Sequence, residues 1–220
     1  MTFPSRRLAL AGAFAALIPA LIPAVAHADE RTVPLTKGFP YLKEYWALPP
    51  GERSHFVLAY YVELDGRIAN GVTAAILDGA QRTALSFDAL GKITPLPGAD
   101  LMRRDAQLRV VWPAGHKMAV NMRLEPTARP ATVLSAPDLA LAVAQGAKAL
   151  KKVAGPLGLV VPRLTKVGLF GAPRGEAVSA DGTAVALPQK DGALYFVPAD
   201  HPRATSLRLA GAPSRLQLLS

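Results

Sequence analysis

Residues 107–124 read QLRVVWPAGHKMAVNMRL, and the alternation in this stretch decides the fold class. Leu108, Val110 and Trp112 lie on one side of an extended chain, with Gln107 and Arg109 on the other. After Pro113-Ala114-Gly115, Met118, Val120, Met122 and Leu124 face inward against Lys117, Asn121 and Arg123. Side chains of a strand point alternately to its two faces, so each arm carries one apolar and one polar face. Two such arms about a Pro/Gly turn predict an antiparallel hairpin, buried on one side and wet on the other.

The same period extends toward the N-terminus. Phe56, Leu58, Tyr60, Val62 and Leu64 alternate with His55, Val57, Ala59, Tyr61 and Glu63, and Asp65-Gly66 closes the run as a turn. Val72–Leu77 leads to Asp78-Gly79, and Arg82–Phe87 follows. Residues 54–125 therefore predict an antiparallel β-sandwich joined by short turns. Within it, Asp65-Gly66, Gly71-Val72 and Asp88-Ala89-Leu90-Gly91-Lys92 resemble the turn pattern of prealbumin-like and carboxypeptidase-regulatory-like sandwich modules. That resemblance covers about a sixth of the chain and implies an immunoglobulin- or prealbumin-like sandwich with an accessory or adhesive role.

Toward the C-terminus, residues 126–134 contain Pro126 and Pro130 and predict a connector. Ser135-Ala136-Pro137-Asp138 has the capping form, with a hydroxyl for the first-turn amides and an acid where the helix dipole favours one. Leu139, Val143, Gly146, Leu150 and Val153 recur at spacings of three and four, as one apolar helical stripe requires. Lys148, Lys151 and Lys152 occupy the last turns, and Gly155-Pro156 is the expected stop. The stripe lacks Trp and Phe, which suits packing on the protein's own sheet better than a membrane surface. Short strands are expected at 164–170, 183–187, 193–197, 205–209 and 215–219, with Asp181-Gly182 and Asp191-Gly192 as hairpin turns. Residues 135–220 thus predict one amphipathic helix and a β-meander. The whole is mainly β, of the α+β kind.

Residues 29–53 form a lead-in arm, with two turns of helix expected between Phe39 and Leu48 and a stop at Pro49-Pro50-Gly51. Its aromatic cluster, Tyr41, Tyr45 and Trp46, is expected to pack over the following domain. Residues 1–28 predict a cleaved export signal. Arg6 and Arg7 precede an uncharged apolar run from Leu8 to Val25, and Ala26-His27-Ala28 supplies small residues at −3 and −1. Pro19 and Pro23 interrupt the run, which weighs against a membrane-spanning anchor. Ser5-Arg6-Arg7-Leu8-Ala9-Leu10 partly resembles a twin-arginine signal, departing from it at Ala9 and in having no Lys soon after. Cleavage would begin the mature chain at Asp29, leave 192 residues, and remove two arginines, lowering the net charge from +9 to +7.

The chain contains no cysteine, which excludes disulfides, thiolate catalysis and Cys-ligated metals. His55, His116 and His201 are too far apart in sequence for a helix- or strand-spaced metal pair. Gly-x-Ser-x-Gly and His-Glu-x-x-His do not occur, and Gly168, Gly171 and Gly175 open no phosphate loop. No cofactor and no metal are therefore expected. The basic residues carry more weight. Arg109, Lys117 and Arg123 would project from one face of the predicted hairpin, with Arg103 and Arg104 at its start, as a patch for phosphate or carboxylate groups. The aromatics are not interleaved with these arginines, so nucleic acid is not the expected partner. The expectation is an exported, periplasmic or secreted, non-catalytic binding or assembly module, without a membrane span after cleavage. Its expected partner is an envelope protein or an anionic envelope component. The alternative is a periplasmic hydrolase using His55 or His116 with a distant carboxylate.

Overall fold

The computed structural model describes residues 28–154 and 163–220. Residues 1–27 of the predicted 1–28 export signal, and the predicted Gly155-Pro156 helix stop, lie outside those residues. Within them the chain is mainly β with four α-helices, as the alternating runs predict.

The first half builds two antiparallel sheets. Strands β1 (Ala28–Pro34), β7 (Gln107–Pro113), β4 (Thr73–Asp78), β5 (Gln81–Phe87) and β6 (Ile93–Thr94) lie side by side in that order. Strands β3 (Arg67–Ile68), β2 (Phe56–Leu64) and β8 (Met118–Pro126) form the second sheet. An isolated bridge between Tyr61 and Lys92 links β2 to the chain just before β6.

The predicted 107–124 hairpin does not form. β7 pairs with β1 and β4, Val110 lying opposite both Arg31 and Ala74. β8 pairs with β2, with Met122 opposite Tyr60 and Leu124 opposite Leu58. The chain turns at Gly115, whose φ of +81° suits glycine, and crosses from one sheet to the other. Alternation tells which side chains share a face. It carries no information about which backbone edge meets which, and here the two arms belong to facing layers.

Three further differences follow. The lead-in arm begins with β1, an edge strand whose residues are almost all exposed and so show no apolar period. Backbone pairing and the Glu30–Arg109 ion pair hold it. The helix expected between Phe39 and Leu48 is present as α2 (Leu42–Ala47), and an unpredicted single turn, α1 (Leu35–Gly38), precedes it, with Tyr41 at a left-handed φ of 65° between them. Phe39 is fully buried edge-on to Tyr60, and the Tyr45 hydroxyl donates to the Phe56 carbonyl, so the arm packs over β2. The second face of β2 is not wet either: Ala59 and Tyr61 are 0% and 2% exposed.

In the second half, α4 (Ala136–Ala154) starts as predicted, with the Ser135 hydroxyl accepting from the Asp138 amide. Leu139, Ala142 and Val143 are buried on its inner side. A Cβ on Gly146 would sit 2.8 Å from Leu218, so the missing side chain lets the helix close on the sheet. The strands arrange as two antiparallel sheets of four. One is β13 (Gln189–Lys190), β14 (Ala193–Phe196), β10 (Lys166–Phe170) and β16 (Arg215–Leu219). The other is β12 (Ala184–Ala186), β11 (Gly175–Ser179), β15 (Ala204–Leu209) and β9 (Val133–Ser135). The order is interleaved rather than a running meander: β10 lies between β14 and β16, and the predicted connector contributes two residues of β9. One continuous cluster of buried side chains runs from Leu35 and Tyr60 through Leu139 to Phe196 and Leu218, so both halves share a core.

Candidate functional site

The covered face of β2 and β8 is where charge enters the interior. Register places Val57 opposite Glu125, Ala59 opposite Arg123, Tyr61 opposite Asn121 and Glu63 opposite Ala119 on that face. Glu125 is 7% exposed and accepts from the Tyr61 hydroxyl through one oxygen and from Lys92 Nζ, at 2.5 Å, through the other. Arg123 stacks over the Tyr61 ring at 4.2 Å and donates to Glu63 at 3.3 Å. A buried carboxylate is tolerated only when its charge and lone pairs are matched, and Lys92 and Tyr61 match both. Burial, with the adjacent Glu125 carboxylate, pushes the Tyr61 phenol well above its usual range, so it stays a donor.

Lys92 is aimed by its own turn. Asp88 Oδ1 accepts from the Leu90 amide at 2.8 Å and the Lys92 amide at 2.9 Å. Gly91, at φ +78°, passes its carbonyl to the Val62 amide at 2.9 Å. A Cβ on Gly91 would stand 2.7 Å from the Val62 carbonyl oxygen, so no other residue fits there without displacing β2.

Arg215, the first residue of β16, reaches the network from the second half. It lies opposite Phe170 in the register and its guanidinium stacks on that ring at 4.2 Å. Its Nε is buried without a hydrogen-bond partner, alone in this among the described residues. Burial, with the nearby Arg123 charge, holds its pKa below the usual arginine value. Three cations (Lys92, Arg123, Arg215) therefore meet two carboxylates (Glu63, Glu125), and the carboxylates are already engaged by the other two. A cleft of about 370 Å³ opens beside the network, with Tyr61, Lys92, Glu125, Arg129, Ser214 and Arg215 among its walls.

The predicted basic patch is distributed differently. Arg109 lies on the five-stranded sheet and makes a two-point contact with Glu30, at 2.7 and 2.5 Å. Arg103 pairs with Asp100 in α3 (Ala99–Arg103), and Arg104 reaches Asp78 at 2.5 Å. The Lys117 amide donates to Asp65. Arg123 alone joins the cleft network. Sequence reading missed Tyr61, Lys92, Glu125 and Arg215 as a group, because they come from four separate segments. Asp88-x-x-Gly91-Lys92 was visible as a turn, and nothing in it says what Lys92 meets.

The histidines sit apart from the cleft. His116 Nδ1 is 2.7 Å from Asp65 Oδ2 on an exposed turn. His55 Nδ1 is 2.9 Å from the Ser54 hydroxyl and its Nε2 is 3.9 Å from Asp138, a serine–histidine–aspartate contact at the surface. No histidine lines any of the three principal cavities among the described residues. Among those residues no group of three His, Asp or Glu side chains is placed to hold a metal ion, and no helix is long and apolar enough to cross a membrane. Comparisons with protein families, with curated proteins and with solved structures found no match to this chain.

Proposed function

We propose that the chain is an exported, non-catalytic binding or assembly module of the bacterial cell envelope whose partner presents anionic groups. The observation that carries this reading is the cleft between the two halves, where the charge of Arg215 has no carboxylate of its own. The basic balance of the mature sequence supports it, since a net positive surface attracts anionic partners at long range. Native mass spectrometry of the protein taken gently from its own periplasm, beside a denatured mass, tests the proposal. A denatured mass starting at Asp29, with added native mass from a ligand or a second polypeptide, is the expected result. Intact Met1-containing chain in the membrane fraction overturns the export part.

A second reading rests on the Ser54–His55–Asp138 contact, the one place where a hydroxyl, an imidazole and a carboxylate meet among the described residues. The Ser54 hydroxyl there accepts from Gln145 Nε2 at 3.0 Å and lines none of the three cavities. Hydrolysis of p-nitrophenyl acetate that is lost in Ser54→Ala would favour this reading over the first.

A further inference from the structure

We infer that the cleft beside Arg215 binds a small organic monoanion through a carboxylate held by Arg215 and Arg129. This rests on the anionic-partner reading above and adds the site, the size and the charge of the ligand.

Charge sets the first constraint. The ionisable residues of the cleft wall are Asp88, Lys92, Glu125, Arg129 and Arg215. Glu125 is matched by Lys92. Asp88 gives one oxygen to the turn amides of Leu90 and Lys92 and remains a negative neighbour of the cleft. No hydrogen bond or ion pair engages the guanidinium of Arg129 or Arg215 among the described residues. The wall therefore carries a net charge of +1, with Lys92, Arg129 and Arg215 against Asp88 and Glu125, which one carboxylate neutralises and a polyanion would overfill, Asp88 and Glu125 repelling the excess.

Geometry sets the second. A guanidinium offers donors in a planar fork that fits a carboxylate, and that of Arg215 is seated over the Phe170 ring, so little freedom is lost on binding. Its buried Nε lacks an acceptor, and an unmade hydrogen bond at a charged group is among the costlier defects in a folded protein. That Nε is closed to solvent, so an oxyanion from the cleft meets the fork through the terminal guanidinium nitrogens and offsets the charge whose Nε has no acceptor. The third constraint is volume. At about 370 Å³ the cleft holds the equivalent of roughly a dozen waters. Leu90, Pro126 and Pro130 add apolar wall for the remainder of the ligand. That is room for a ring or a short chain bearing a carboxylate.

Benzoate, acetate, inorganic phosphate and neutral benzamide serve as probes of the purified protein, by calorimetric titration and by following the arginine Nε–Hε resonances in ¹⁵N-correlated spectra. The expected order is benzoate above acetate and phosphate, with benzamide not binding and the Arg215 Nε–Hε signal moving on addition of benzoate. Arg215→Gln is expected to weaken benzoate about tenfold, and Arg129→Gln, whose more exposed charge is screened, about threefold. Arg129 lies in a loop, so its variant keeps the test meaningful if Arg215→Gln fails to fold. Equal affinity for benzoate and benzamide, a preference for phosphate, no binding by any probe, or benzoate affinity unchanged in both variants each overturns the assignment. A protein partner found by native mass spectrometry beside a cleft that ignores benzoate would sink this inference and leave the module reading standing. Ser54-dependent hydrolysis would remove the module reading itself.

Discussion

The same residue types, arginine and glutamate, are used in opposite ways on the molecule's two N-terminal sheets. On the five-stranded sheet Arg109 and Glu30 meet in solvent and fasten an edge strand. On the three-stranded sheet Arg123, Glu63, Glu125 and Lys92 meet under the cover of β16, and one additional cation, Arg215, joins them. Exposed pairs exchange water contacts for each other at little net gain. Covered ones are held to a definite stoichiometry, because each unmatched charge there is costly. A charge excess therefore means little at the surface and points to a ligand in the cleft.

The largest expected effect comes from breaking the covered network. Glu125→Ala strands Lys92 and the Tyr61 hydroxyl, and should lower the stability read from urea denaturation by about 3 kcal/mol. An unchanged midpoint would mean that the covered carboxylate contributes no more than a surface one. Gly91→Ala comes next. It forces a side chain into a positive φ and against the Val62 carbonyl, for a loss of about 1–3 kcal/mol. It should also weaken the Lys92–Glu125 contact, seen as a changed Lys92 Nζ signal.

Surface pairs should respond far less. Arg109→Ala is expected to leave the urea midpoint within error in 1 M salt, where the pair is screened, with at most a small loss at low salt. A clear loss in both conditions would place this pair with the covered network and erase the contrast. The smallest effect is acid sensitivity. Hydrogen bonding from Arg109, Lys148 and His116 holds Glu30, Glu52 and Asp65 below the ordinary carboxylate range. A folded-state pKa below the unfolded one stabilises the native form above about pH 4.3, and that contribution disappears as pH falls through the lowered folded values. Urea midpoints measured from pH 7 to pH 3 should drop more steeply in the parent than in Glu30→Gln.

Local chemistry was legible wherever one segment carried its own signal. The strands at 56–64, 73–78 and 81–87 and helix α4 with its Ser135 cap follow from period and capping alone. Strand β1 was not legible, because its pattern is polar and it is held by backbone pairing with β7, a strand far along the chain. The candidate site was illegible for a related reason. Tyr61 and Glu125 sit at positions that alternation assigns to water, and the Asp88–Lys92 turn together with β16, arriving from the far end of the chain, makes that face an interior.

By itself the sequence determined that this is a mainly β chain with one long amphipathic helix, since period, capping and turn chemistry are properties of neighbouring residues. It also predicted an export signal and excluded cysteine chemistry. The tertiary structure decided which edges pair, why residues 107–113 and 118–126 part into different sheets, and which charges end up covered. Those are outcomes of competition among segments distant in the chain. Backbone edges are chemically alike, and the value of a charge depends on what finally lies over it.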